Sequence, residues 1–212
     1  DKIRAQNIAE YLVAHPEKVA YQKEDQLSGL RRQWGFIQML TKQCGQFLNQ
    51  LNSLMYSACP ELLHYCQNGV PDWMLKLLVQ YPGSAKLKKA RIKSVAKIPY
   101  VTPKRAKQLI SEAKNSVASA TDPAIQQLII ATARQILHLR KSIADQTKQL
   151  VDQCNLPEVE LLKSFPGISN ASAVGLLIEI QTIKRFANVK KLASFFGIHP
   201  VYKISGDGIG GI

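Results

Sequence analysis

The chain has 212 residues, with 28 Lys and Arg against 15 Asp and Glu, and a formal net charge of +13. Hydrophobic residues make up 46% of the sequence, which excludes wholesale disorder, and no apolar run approaches the roughly 20 residues that a membrane span needs. The four cysteines and four histidines show no zinc-ligand spacing: Cys59, His64 and Cys66 lie close together, but no fourth ligand follows. We expect a basic, globular, cytoplasmic protein, and, since it begins with Asp1 rather than Met, one whose ends are cut.

Helical periodicity predicts three helices in the first 81 residues. The first covers Asp1 to Ala14, the second runs from Gln26 to about Ala58, and the third covers Pro71 to Tyr81. The second helix has an apolar stripe that includes either Leu40 or Thr41. These patterns indicate a mainly α protein.

The positive charge is concentrated in one stretch. Between Trp73 and Ser111 there are ten cations and no acidic residue, and Ile180 to Gly206 repeats the pattern on a smaller scale. Such a field favours a polyanionic partner, because neutralising phosphates releases condensed counterions. The alternative is a solvated surface that keeps the protein soluble. The ten cations are Lys76, Lys86, Lys88, Lys89, Arg91, Lys93, Lys97, Lys104, Arg105 and Lys107.

Within that stretch, the segment Ile98–Ile110, here called the upstream hairpin, predicts a tight turn followed by a helix. Lys104, Arg105 and Lys107 fall in the first turns of that helix, where they oppose the helix dipole and are poorly explained by stability. Phosphate contact explains them better, and plain helix packing is the alternative. With Lys97 before the turn, they are candidate nucleic-acid-binding residues.

The longest predicted helix covers Thr121 to Gln153 and opens on a capping Asp122 followed by proline. Four apolar residues recur along it at every seventh position, which is typical of a coiled coil. This pattern predicts that the chain forms a homo-oligomer through that face, although a long helix in an intramolecular bundle shows nearly the same stripe. The four residues are Ile129, Ile136, Ile143 and Leu150.

The segment Leu162–Leu177, here called the downstream hairpin, has the pattern of a helix-hairpin-helix. Gly167 tolerates positive φ in the turn, and either Ser169 or Asn170 can cap the second helix. Backbone N–H groups at that helix start suit a DNA phosphate, so these three residues are further candidates for nucleic-acid binding. The upstream hairpin is an internal repeat of this one, with Tyr100 standing where the downstream copy has Gly167.

The C-terminal tail predicts a helix over Leu192–Pro200 and a short extended segment over Val201–Ser205; Val19–Gln22 is a second extended candidate. Gly206–Gly211 matches G-x-G-x-x-G formally, but no βαβ unit surrounds it. On chemistry alone, Ser205 is best interpreted as a turn serine.

The order of these motifs resembles that of transposases of the insertion sequence 110 family, relatives of the Piv DNA invertases. Asp1–Ala9 resembles the end of the family's RuvC-like domain, while Cys59–Leu62 and Leu77–Pro82 are similar to its middle region. Phe165–Ile168 and the run from Lys191 to Pro200, together with Ser205-Gly206, resemble its C-terminal transposase domain.

The resemblance implies an enzyme that cuts and joins DNA, guided by an RNA, using four RuvC-like acids that hold Mg²⁺ and a serine that attacks the phosphodiester. Ser205 matches that serine, and Asp1 matches the third acid and hence a metal ligand. Arg4 stands where the fourth acid is expected, and a cation there would repel Mg²⁺. Because the first two acids are absent, we expect the covered piece to be catalytically incomplete.

The predicted organisation has four parts: a remnant of the RuvC-like domain (1–25), a basic helical region with the upstream hairpin (26–120), the long helix (121–155) and a C-terminal transposase domain (156–212). Three functions fit the sequence. The chain is a fragment of a DNA transposase, a helix-hairpin-helix module that binds nucleic acid without chemistry, or a helical bundle that dimerises through its long helix.

Overall fold

A computed structural model describes residues 2–15, 27–120, 122–154 and 156–198. Within these ranges the regular elements are all helices, which confirms the predicted mainly α fold. None of the helices described is both long enough and apolar enough to cross a membrane. The two predicted extended segments, Val19–Gln22 and Val201–Ser205, lie outside the described residues, as do Asp1 and Ser205. The ten α-helices are α1 Lys2–Ala14, α2 Ser28–Ala58, α3 Asp72–Gln80, α4 Ser84–Leu87, α5 Ile92–Val95, α6 Pro103–Lys114, α7 Pro123–Gln153, α8 Pro157–Lys163, α9 Asn170–Ile180 and α10 Val189–Phe195, and 3₁₀ helices cover Pro60–Cys66 and Ile183–Arg185.

The chain divides into two compact units. One consists of Gly29–Asn155, and the other combines Asp1–Ser28 with Leu156–Ile212. The basic helical region and the long helix, treated separately in the sequence, pack within the first of these units.

The core of the unit Gly29–Asn155 is built from the apolar faces of α2, α3, α6 and α7. On α2, Leu40 is buried, whereas Thr41 is exposed and donates its hydroxyl to the Ile37 carbonyl at 2.9 Å. Helix α3 packs against α7, where Arg140 forms an ion pair with Asp72 and donates to the Val70 carbonyl at 2.7 Å. These contacts hold the start of α3 on the long helix.

The face of α7 that was predicted to drive self-association is buried inside the chain. Ile129, Ile136 and Leu150 are fully buried, and Ile143 is partly buried against the core. The coiled-coil prediction is therefore wrong as to this face, because the seven-residue stripe that would meet a second copy is covered intramolecularly. The bundle alternative describes α7 correctly, and Asp122 caps it by accepting from Ile125 N–H at 2.9 Å.

In the unit that contains the C-terminal residues, α8 packs against α9. Val159 of α8 and Val174 and Ile178 of α9 are buried. Helix α1 is present as predicted, but its described side chains from Ala5 to Ala14 are exposed. The backbone at Arg4 lies within α1.

Candidate nucleic-acid interface

The upstream hairpin follows α5 and consists of a tight turn and the start of α6. In the turn, Tyr100 adopts a positive φ of 68° and Val101 N–H donates to the Ile98 carbonyl at 3.0 Å. Thr102 then caps α6, since its hydroxyl accepts from Arg105 N–H at 3.2 Å. A tight turn thus leads directly into the capped start of α6.

The downstream hairpin repeats this geometry. Gly167 has a φ of 89°, Ile168 N–H donates to the Phe165 carbonyl at 3.2 Å, and Ser169 caps α9 by accepting from Ser172 N–H at 3.2 Å. The cap is therefore Ser169 rather than Asn170. The alignment of the two copies is correct, because equivalent turn residues have positive φ and equivalent hydroxyls cap the next helix.

The lysines around the upstream turn are exposed, and no acidic residue in the described ranges forms an ion pair with them. These lysines are Lys97, Lys104 and Lys107. The first turn of α6 contains no acidic residue. The start of α6 therefore combines Lys104 and Lys107 with the partial positive charge of a helix N-terminus, and Lys97 precedes the turn.

Arg105 has a different role from the lysines. Its guanidinium lies 5.2 Å from the centre of the Trp73 ring and donates to the Tyr100 carbonyl at 3.2 Å. These two contacts fix the side chain between α3 and the turn. Arg105 thus stabilises the turn of the hairpin. The sequence predicts only a phosphate contact for this residue and does not indicate this structural function.

Tyr65 and Glu112, neither of which the sequence marks as functional, support the packing of Trp73 under Arg105. Tyr65 meets Trp73 edge-on, with ring centres 5.7 Å apart, and its hydroxyl donates to the Glu112 carboxylate at 3.1 Å. Burial and the Glu112 charge raise the pKa of Tyr65 to about 12, so the phenol stays a donor at neutral pH. These partners come from three separate elements, and no local sequence pattern marks them.

A further turn of the same composition lies between α3 and α4, directly after the end of the third predicted helix at Tyr81. Pro82-Gly83 repeats the dipeptide Pro166-Gly167, which was the available signal. Here the turn is buried: Gly83 has a φ of 128°, and the Ser84 hydroxyl donates to the Ala58 carbonyl at 3.1 Å and to Glu61. This turn packs against the end of α2, whereas the upstream turn faces solvent.

The candidate nucleic-acid-binding residues of the downstream hairpin are exposed, but they lie in a less positively charged region than those of the upstream hairpin. Gly167, Ser169 and Asn170 are exposed, but the first turn of α9 contains no basic residue. In α8, Lys163 is paired with Glu160 at 2.8 Å. The two hairpins thus share a backbone conformation and differ in charge.

The described residues do not assemble a site for Mg²⁺. No group of three His, Cys, Asp or Glu side chains in this part of the chain is placed to hold a metal. Burial raises the pKa of the Cys59 and Cys66 thiols, which keeps them protonated at neutral pH. Asp1, the acid that the resemblance marks as a metal ligand, lies outside the described residues.

Comparison with known proteins matches two parts of the chain. Residues 74–115, which run from within α3 to just past the end of α6, match the model of a SAM-like helix-hairpin-helix tandem. Residues 159–210 match the model of the transposase IS116/IS110/IS902 family. No curated protein and no solved structure gave a match. The resemblance to the insertion sequence 110 family of transposases is therefore confirmed over residues 159–210.

Proposed function

We propose that this chain is the DNA-binding part of a transposase and that it contacts the phosphate backbone through the upstream hairpin. The observation that supports this most directly is the exposure of Lys104 and Lys107 at the capped start of α6 and of Lys97 before the turn. Both matched models agree with such a role, because one is a helix-hairpin-helix tandem and the other a transposase family.

The placement of the lysines favours binding over stability. Cations at a helix N-terminus are repelled by the helix dipole, so each lysine there costs folding free energy unless an anion is present. A phosphate supplies that anion and also accepts hydrogen bonds from the backbone at the helix start. Contacts of this kind hold a duplex without reading its sequence.

The test uses a variant in which Lys97, Lys104 and Lys107 are all changed to Ala, with Arg105 retained because it braces the turn. Binding to a labelled DNA duplex is measured by fluorescence anisotropy across a salt series. Each phosphate contact contributes about 0.9 to the slope of log K against log salt, so the slope should fall by about three at most. Affinity should fall equally for unrelated duplex sequences.

The matched control changes Lys141 and Lys148 to Ala, because both are exposed cations of α7 outside the helix-hairpin-helix tandem. This control should leave the salt slope unchanged. An unchanged slope in the hairpin variant, or an equal fall in the control, would show that the hairpin lysines do not bind phosphate. An RNA duplex measured in parallel tests whether the guide RNA that the resemblance implies competes for the same lysines.

We propose in addition that Ser205 is the nucleophile of strand cleavage and that Asp1 belongs to a Mg²⁺ site completed by acids outside this sequence. The support is that the family match includes residue 205 and that Ser205-Gly206 resembles the family's serine motif. A serine hydroxyl needs a base, a metal or nearby cations to attack a phosphodiester at neutral pH. The chain alone should therefore not cleave DNA.

The nucleophile is tested in an active transposase that carries this segment. Trapping with a labelled DNA substrate should yield a covalent protein-DNA adduct, and Ser205→Ala should abolish it. Ser194→Ala, a serine of α10 within the same matched segment, is the control. An adduct that survives Ser205→Ala would exclude Ser205 as the nucleophile.

A further inference from the structure

Tyr100 occupies the tip of the upstream hairpin in an unusual way. Its φ of 68° lies in the left-handed region, which a bulky residue rarely adopts, and its side chain is 84% exposed. The equivalent position in the downstream hairpin is Gly167, which adopts positive φ without strain. The turn alone therefore does not require a tyrosine.

Arg105 stabilises the strained backbone of Tyr100. The guanidinium of Arg105 donates to the Tyr100 carbonyl at 3.2 Å while it lies on the Trp73 ring. Residues in sparsely populated backbone conformations persist when the surroundings fix them, and they cluster at binding sites. The structure thus fixes the backbone of Tyr100 and leaves its ring in solvent.

Along the chain, Tyr100 also lies between the cations of the proposed phosphate site. Lys97 precedes it by three residues and Lys104 follows it by four, and both are exposed. Proteins that bind unpaired nucleic acid combine positive charge along the backbone with aromatic side chains on which bases stack. An exposed tyrosine between lysines reproduces that combination in one turn.

We propose that Tyr100 stacks on an unpaired base, so that the upstream hairpin binds single-stranded or distorted DNA in preference to an intact duplex. This inference rests on the proposed binding of phosphate by the same hairpin. The lysines bind the backbone of either form of DNA, and the tyrosine adds affinity only where a base is not paired.

The test compares Tyr100→Gly with the parent protein on three labelled probes: single-stranded DNA, single-stranded RNA of the same sequence and the DNA duplex. Glycine suits the positive φ, so this variant should fold at least as stably as the parent in a thermal melt. Affinity for single strands should fall about 5- to 150-fold, which is the effect expected for the loss of one stacked base. Affinity for the duplex should stay within about twofold.

Two matched variants isolate the ring. Tyr100→Phe keeps a stacking surface and should retain binding to single strands. Tyr56→Ala removes a tyrosine of α2 that is also largely exposed and should leave binding unchanged. Photocrosslinking to an oligonucleotide with iodinated uracil should label residue 100 in the parent and fail in Tyr100→Gly.

The outcomes separate this inference from the proposed function. If Tyr100→Gly leaves the ratio of single-strand to duplex affinity unchanged while the lysine variant still lowers the salt slope, the stacking inference fails and phosphate binding stands. An equal loss on all three probes also overturns stacking. If the lysine variant has no effect on the salt slope, the proposed phosphate binding is wrong, and the stacking inference that rests on it is wrong as well.

Discussion

Two different residues satisfy the same backbone requirement in the two hairpins. Tyr100 and Gly167 both take a positive φ, and each is followed two residues later by a hydroxyl that caps the next helix. The cap of the downstream copy is a local feature that the sequence predicts as either Ser169 or Asn170. The conformation of Tyr100, by contrast, depends on Arg105 and Trp73, which lie elsewhere in the chain. A single residue can therefore match its repeat in geometry and differ from it in chemistry.

Glycine substitutions should separate backbone strain from crowding. Gly69 and Gly83 both have positive φ, but a Cβ on Gly69 would meet nothing within 4 Å, whereas one on Gly83 would lie 3.1 Å from the Ala58 carbonyl oxygen. Gly69→Ala should lower the free energy of unfolding by about 1–2 kcal/mol. Gly83→Ala should cost about 1–3 kcal/mol more because it is also overpacked. Urea unfolding measures both, and equal costs would exclude the crowding.

Tyr65 should make the stability fall at alkaline pH. Its pKa is raised from 10.0 to about 12 in the folded chain, first by burial and then by Glu112. Between pH 10 and 12 the unfolded chain has lost the phenolic proton that the folded chain keeps, so this contribution is complete below pH 10 and disappears as pH rises towards 12. Tyr65→Phe should therefore lose less stability than the parent over that range.

Urea midpoints measured at about pH 9 and about pH 11 provide the comparison. Tyr56→Phe, which changes an exposed tyrosine of α2, is the matched control and should follow the parent. If the Tyr65 and Tyr56 variants lose the same stability, the hydrogen bond from Tyr65 to Glu112 is not responsible.

At the scale of helices, the sequence predicts features that depend on neighbouring residues and misses those that depend on contacts between distant residues. The start of α7 is predicted correctly because Asp122 and Pro123 are adjacent capping signals. The partner of α7 was not predictable, because a stripe that repeats every seven residues suits both a second copy and the chain's own core. The cations of the hairpin are visible in the sequence, but the contact between Arg105 and Trp73 joins α6 to α3 and has no local signature.

Because the apolar face of α7 is buried within the chain, substitutions on it should lower the stability of the fold without changing self-association. Ile136 is fully buried, so Ile136→Ala should lower the free energy of unfolding by about 2–5 kcal/mol. Leu128 lies on the same helix but is 48% exposed, so Leu128→Ala should lower the free energy of unfolding by less than about 0.5 kcal/mol. Sedimentation velocity should show no change in association for either variant. Loss of a dimer in Ile136→Ala at unchanged stability would restore the coiled-coil interpretation.

At the scale of the whole molecule, the two compact units differ in how much core they contain. The largest fully buried side chains of the described residues, from Leu51 to Leu150, all lie within Gly29–Asn155. That unit also contains the helix-hairpin-helix tandem and the exposed lysines of the upstream hairpin. A compact unit with its own core is able to fold alone, so residues 29–155 should form a stable fragment.

This fragment should carry the duplex binding of the chain. Circular dichroism should show a helical protein with a cooperative thermal transition, because the contacts of α3 with α7 and the Arg140–Asp72 ion pair are all internal to it. Its salt slope on duplex DNA should match that of the full chain to within about one phosphate contact. The fragment with Lys97, Lys104 and Lys107 changed to Ala is the control and should lose that binding. A fragment that folds but binds duplex DNA with a slope several contacts smaller would locate the main phosphate contacts in the other unit, with the downstream hairpin and the C-terminal cations.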